Sequence, residues 1–168
     1  NNLSYQFSVD DGKSWTKWSK TSNYVWSSKL SDIGFHSLLG EVWDGLNDPV
    51  QTPLMGCRII YNFSGFLQTT GSDVTWYAGT PIPIDFQLTD STGNSISTAL
   101  AQVWLENSSN QTKAGSSADR LSDSNYFSYN STSNQYHFSL DTKDLKEGKY
   151  TVIVTIDDGS TYYATITI

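Results

Sequence analysis

The stretch Tyr150-Thr151-Val152-Ile153-Val154-Thr155-Ile156-Asp157-Asp158-Gly159-Ser160-Thr161-Tyr162-Tyr163-Ala164-Thr165-Ile166-Thr167-Ile168 decides how this chain is read. In its first arm Tyr150, Val152, Val154 and Ile156 share one face, and Thr151, Ile153 and Thr155 take the other. The second arm puts Tyr162, Ala164, Ile166 and Ile168 on one side. A period of two marks strands with one buried and one wet face. The Asp-Gly step between the arms supplies the backbone conformation a tight hairpin needs.

The same alternation recurs elsewhere. Over 83–89, Ile84, Phe86 and Leu88 oppose Asp85 and Gln87; over 136–140, Tyr136, Phe138 and Leu140 oppose His137 and Ser139. Further strands are predicted at 4–9, 14–19, 35–43, 59–63, 75–77 and 101–106. The run 35–43 has large residues on both faces, which predicts a central strand with Trp43 in the core; Trp104 is placed in the core too. Asp10-Asp11-Gly12 and Asp90-Ser91-Thr92-Gly93-Asn94 read as turns. Residues 46–56, with Pro49 and Pro53, and the polar stretches 107–117 and 122–133 read as loops. One helical turn is predicted over 141–147, capped by Asp141 or Thr142 and ended by Gly148. The fold class is all-β: an immunoglobulin-like β-sandwich over 65–168, preceded by a smaller aromatic-rich β module over 1–64, with the break within 65–72.

Composition excludes several functions. Of 168 residues only 16% are charged and the formal net charge is −7. Nucleic acid requires a basic stripe, and the eight Lys and two Arg are scattered. The same acidity disfavours an anionic membrane surface, and no apolar run approaches a membrane-spanning length. The single Cys57 forms no internal disulfide and, beside Ile59-Ile60, is expected to be buried. Ser, Thr and Asn fill about a third of positions, which suits wet strand faces and turns better than helices. The chain opens on Asn1-Asn2 without Met and reads as a piece of a longer protein.

From Tyr61-Asn62-Phe63-Ser64-Gly65-Phe66-Leu67-Gln68 onward the chain resembles the PxKF-type immunoglobulin-like domain of prokaryotic surface and secreted proteins. The likeness continues through Ala78-Gly79-Thr80-Pro81-Ile82-Pro83-Ile84-Asp85-Phe86, where the naming motif falls on Pro83 to Phe86. Phe127-Ser128-Tyr129, Gln135-Tyr136-His137-Phe138, Leu140-Asp141-Thr142-Lys143 and Gly148-Lys149-Tyr150-Thr151 complete it. The family's Lys is Asp85 here, a swap that an exposed strand position would tolerate. The resemblance implies a spacer or terminal module with no catalytic residue to transfer. The N-terminal portion more weakly resembles β modules that precede such domains on bacterial surfaces.

Ser8-Val9-Asp10-Asp11-Gly12-Lys13-Ser14-Trp15 matches the Asp-box pattern S-x-D-x-G-x-x-W, read as a structural hairpin. Trp15, Trp18 and Trp26 are the candidate glycan-contact residues, because exposed indole faces stack on apolar faces. Asn107, Asn110 and Asn130 are candidate N-glycosylation acceptors in predicted loops. Asp157 and Asp158 are weak calcium candidates through oxygen ligation. No cofactor is called for, and His36 and His137 lack ligand-spaced partners. These features predict a non-catalytic extracellular or cell-surface module, a spacer, S-layer-type or adhesion domain of a larger glycoprotein. Its partners would be neighbouring domains of the same protein and cell-surface glycans or proteins. The alternative is a carbohydrate-binding module using exposed Trp residues.

Overall fold

The computed structural model describes residues 2–67, 75–119 and 124–168. They form two compact units, Asn1–Ile60 and Tyr61–Ile168. The division falls four residues before the expected position 64, because the strand that follows Tyr61 pairs within the second unit. Of the break expected within 65–72, residues 68–72 lie outside the described ones.

The first unit is built on one long strand. β1 (Ser4–Ser8), β2 (Gly34–Trp43), β3 (Val50–Gln51) and β4 (Met55–Ile59) form an antiparallel sheet with β2 at its centre. β1 pairs with β2 from Ser4↔Trp43 to Ser8↔Leu39. β3 and β4 both pair with β2, but the register slips by one residue between Val42↔Val50 and Leu38↔Met55. Pro53 lies at the slip and has no N–H to give a ladder. Residues 46–56, expected as one loop, thus hold β3 and the start of β4. Residues 14–19 are not a strand: the Phe7 N–H is taken by the Thr16 hydroxyl (3.0 Å), and the ladder is reduced to the Tyr5↔Ser19 bridge. Trp43, expected in the core, is 37% exposed, and Cys57 is only half-buried.

The second unit is a sandwich. β5 (Asn62–Phe66), β6 (Ile82–Thr89), β9 (Ser128–Asn130) and β10 (Gln135–Leu140) form one antiparallel sheet in the order β5-β6-β10-β9. β7 (Ala101–Asn107), β8 (Thr112–Ala114), β11 (Lys149–Ile156) and β12 (Thr161–Thr167) form the other in the order β12-β11-β7-β8. Lettered along the chain, these are ABED and GFCC′, the topology of an immunoglobulin-like sandwich. The alternating apolar residues supply the core: Ile84, Phe86, Tyr136, Phe138, Val103, Leu105, Val152, Val154 and Ile166 are all buried. Gly65 (φ 95°) accompanies a register shift in β5 that lets Phe63 and Phe66 both reach the Phe86 ring, at 5.4 and 6.4 Å.

Three expectations are corrected here. Residues 141–147 form turns and no helix: Thr142 is buried with its hydroxyl donating to the Thr80 carbonyl (2.8 Å), and the Lys143 N–H donates to the Asp141 carboxylate. The stretches read as loops over 107–117 and 122–133 hold β8 and β9; residues 122 and 123 lie outside the described ones. Thr75 makes one parallel bridge to Thr167 in place of the strand expected over 75–77.

Tyr136 ties fold to pH. Burial pushes its phenol up to about 12, although its oxygen accepts the Ala99 N–H (3.0 Å), which acts in the opposite direction. The fold therefore favours the neutral phenol. That contribution is fully present below pH 10 and is lost as pH rises towards about 12. Urea titrations at pH 9 to 11.5 are expected to show stability falling over this window. Tyr136→Phe strands the Ala99 N–H but should flatten the fall, the remainder belonging to Tyr61, raised by burial and by Asp157 and Asp158.

Candidate functional site

The first unit is unlike the second in where its apolar side chains lie. Every buried hydrophobic residue among the described ones belongs to Tyr61–Ile168. Of sixteen exposed large hydrophobic residues among the described ones, eleven lie in Asn1–Ile60. Soluble surfaces seldom concentrate apolar groups in this way without a contact to make.

The Asp-box hairpin organises one end of this unit. Asp10 accepts the Ser14 N–H (2.8 Å) and hydroxyl (2.6 Å), and the Ser8 hydroxyl donates to it (2.8 Å). The Ser8 oxygen in turn accepts the Gly12 N–H (2.9 Å). Trp15 donates its Nε1 hydrogen to the Gly12 carbonyl (3.0 Å), so its ring covers its own turn. The Ser14 hydroxyl, then the Ser14 N–H, then Ser8 hold the Asp10 carboxyl down at about 2. A depressed value means the stabilisation is present above the ordinary 3.8 and is lost only as pH falls towards about 2. Carboxyl-carbon NMR titration should find Asp10 still ionised at pH 3, and Ser14→Ala should move its midpoint upward.

The two faces of the sheet carry different aromatic groups. Cross-strand partners share a face, so Phe7, Gly40, Leu38, Met55 and His36 lie together. The segment 22–26 covers some of this face. Tyr24 stacks on Phe7 (5.6 Å, 12°) and Trp26 meets His36 edge-on (4.7 Å). Both His36 ring nitrogens face carbonyl oxygens, of Val9 (3.3 Å) and Asp32 (2.6 Å), tying hairpin and turn to β2. Between segment and sheet runs an apolar groove of about 470 Å3, lined by Phe7, Tyr24, Trp26, Leu38 and Met55 among others.

The opposite face carries Ser4, Gln6, Glu41, Trp43 and Gln51. Gln6 donates to Glu41 Oε2 (2.6 Å) and Gln51 to Oε1 (3.5 Å), forming a polar strip across three strands. One rung along, Trp43 packs against Trp18, with ring centres 5.8 Å apart and planes inclined at 49°. Trp18 is 38% exposed. Trp43 donates its Nε1 hydrogen to the Asn47 carbonyl (2.8 Å), within a turn capped by Asp44, which accepts the Leu46 and Asn47 N–H groups at 2.8 Å each.

The three tryptophans named from sequence thus go to three places: Trp15 onto its turn, Trp18 onto Trp43, and Trp26 into the groove. The partner missed was Trp43. Its signal, Gln6, Glu41 and Trp43 at alternating positions of two strands, becomes visible only once register is known.

In the second unit Asp158 is 1% exposed. One of its oxygens accepts the Tyr61 N–H and the other accepts the Ser160 N–H and hydroxyl, so a calcium ion there would have to displace these donors. Among the described residues no three His, Cys, Asp or Glu side chains converge on a metal position. Asp85 is buried, not exposed, and lies 2.6 Å from Nδ1 of His137, its register partner. Ser128 neighbours this pair, but its hydroxyl donates to the His137 backbone carbonyl (3.2 Å), not to the ring. Asn107 is committed to its turn through Ser109 and Gln111, with its side-chain N–H2 donating to Gln111. Asn110 is exposed at φ 57°, and Asn130 is exposed, with its amide oxygen accepting the Thr132 N–H.

Strand order and core place the second unit in the class of immunoglobulin-like β-sandwiches, with the smaller β module ahead of it. No family model matches the chain, and no curated protein matches it significantly in sequence. Among solved structures, the fibronectin(III)-like modules of Clostridium thermocellum CbhA align over 98% of this chain and 77% of that one. The identity is 14% and the TM-score 0.36. No helix among the described residues is long and apolar enough to cross a membrane.

Proposed function

We propose that the chain is a non-catalytic, extracellular module of a larger cell-surface protein, in which the sandwich is a rigid spacer and the first unit an adhesive head. One observation supports this reading above others: the buried core belongs to Tyr61–Ile168, whereas exposed aromatic and aliphatic groups concentrate in Asn1–Ile60. A spacer needs a closed core that resists deformation, and an adhesive head needs contact area left uncovered. Such a module fits an S-layer-type or wall-associated protein, flanked by other domains and carrying glycans at Asn110 or Asn130.

Beads coated with the 168-residue chain test it. They are expected to adhere to purified cell envelopes more strongly than beads carrying a variant with Trp18→Ala, Met55→Ser and Leu54→Ser, the last an exposed side chain next to Met55 in sequence. Equal adhesion by both would overturn the reading. So would turnover of a glycoside, ester or peptide substrate that a point mutation abolishes.

A further inference from the structure

We infer that the Trp18–Trp43 face, with the Gln6–Glu41–Gln51 strip beside it, binds single chains of a neutral polysaccharide. This rests on the adhesive reading and names the ligand class of that head.

The grounds are those of surface chemistry. A sugar ring offers an apolar face of C–H groups and a rim of hydroxyls. The site offers two half-exposed indoles and, one rung away on the same sheet face, two amides and a carboxylate. Stacking on Trp uses the ring face, and hydroxyls need groups that donate and accept in turn. An apolar peptide laid here would bury Glu41 and two amides without new partners, at a cost. A polyanion would meet the Glu41 carboxylate. The 49° between the indole planes rules out a flat crystalline surface, which cannot lie against both rings at once. A single chain can bend or twist to meet each ring in turn. Trp43 is also held ready: its N–H is spent on Asn47, so only the ring face remains for a ligand, and Asp44 fixes that turn. The carboxyl of Asp44 is lowered to about 2 by the Asn47 and Leu46 N–H groups. Preorganisation of this kind cuts the ordering cost of binding.

Affinity electrophoresis of the whole chain decides the matter, in gels cast in turn with polygalacturonate and three neutral polymers, beside a pull-down on crystalline cellulose; the neutral three are a soluble β-glucan, a mannan and a galactan. At least one of the neutral three is expected to retard it. Trp18→Ala and Trp43→Ala should each weaken that retardation about tenfold, as loss of a central aromatic contact does. Trp26→Ala, on the opposite face, should change it less than about twofold. Trp18 lies outside the ladder, so its variant remains informative if Trp43→Ala unfolds. Retardation by none of the three, retardation only by polygalacturonate, binding only to crystalline cellulose, or wild-type retardation of both indole variants would each overturn the inference. Adhesion to envelopes without retardation would sink this inference and leave the adhesive head standing; loss of both would remove both.

Discussion

Replacing Phe86 with Ala is expected to destabilise the sandwich by about 4 kcal/mol, the middle of the range for deleting a buried aromatic ring. Phe86 is 0% exposed and stands among Phe127 (4.9 Å), Tyr136 (5.1 Å, parallel within 9°), Phe63 (5.4 Å) and Phe66 (6.4 Å). The magnitude turns on whether these rings can close over the gap. They are held from behind: Phe63 stacks on Tyr162 at 3.8 Å, Phe127 packs on Phe138 at 5.5 Å, and the Tyr136 oxygen accepts the Ala99 N–H. A gap whose walls are fixed stays open and forfeits dispersion contacts on every side. The midpoint of urea unfolding should fall with the slope unchanged. Melting should drop by about 15 °C for a domain of this size. Phe86→Leu, which refills most of the volume, should cost about 1.5 kcal/mol. Tyr163→Ala, at a 66% exposed position, should stay within about 0.5 kcal/mol. A Phe86→Ala cost below about 1.5 kcal/mol would mean that the aromatic cluster collapses freely and is not the rigid centre of the spacer.

The elements that alternation disclosed most plainly are those in which one face is buried and the other wet. β6, β10, β11 and β12 alternate in sequence because the sandwich covers a single side of each. β8 has all three residues exposed and β9 has two, so neither side imposes an apolar rule; such short polar edges protect a sheet from further pairing. β3 and β4 were hidden by Pro49 and Pro53, which read as loop residues although one of them merely shifts the register. The turn at 141–147 carries helix-capping residues, yet Thr142 is drawn inward to the Thr80 carbonyl, a tertiary contact that local propensity does not contain. Large residues on both faces of 35–43 correctly marked a central strand but not a buried one. Segment 22–26 covers some of one face, while Trp43 on the other stays exposed. The Asp-box was legible in full because its hydrogen bonds are local. The Trp18–Trp43 pair was not, because it joins the arm after β1 to the far end of β2 across a distance of sequence that only pairing register spans.

Removing the Asp158 carboxylate is expected to cost about 3 kcal/mol, as charged acceptors with buried donors do. This residue joins two distant segments of the sandwich. The chain turns from β11 to β12 at Gly159 (φ 80°), with the Ile156 N–H donating to the Ser160 carbonyl (3.0 Å) and the Gly159 N–H to the Ile156 carbonyl (2.9 Å). Within that turn Oδ1 of Asp158 accepts the Ser160 N–H (2.7 Å) and hydroxyl. Oδ2 reaches the buried Tyr61 N–H (2.8 Å), which stands just before β5. Without the carboxylate, Tyr61 keeps an N–H that neither water nor the ladder can take, and the hairpin loses its internal acceptor. The local signature separates this account from mere loss of packing: in Asp158→Ala the Tyr61 amide should exchange with solvent much faster, while amides of the β7–β11 ladder keep pace with global stability. Asp158→Asn keeps one acceptor and turns a donor towards the other contact, so it should lose about half as much. Ser160→Ala removes only the hydroxyl donor and keeps both the Ser160 N–H bond and the Tyr61 contact, so it should lose only a small part of the Asp158→Ala cost. Unchanged Tyr61 exchange in Asp158→Ala would show that the start of the sandwich is held by packing and not by this clamp.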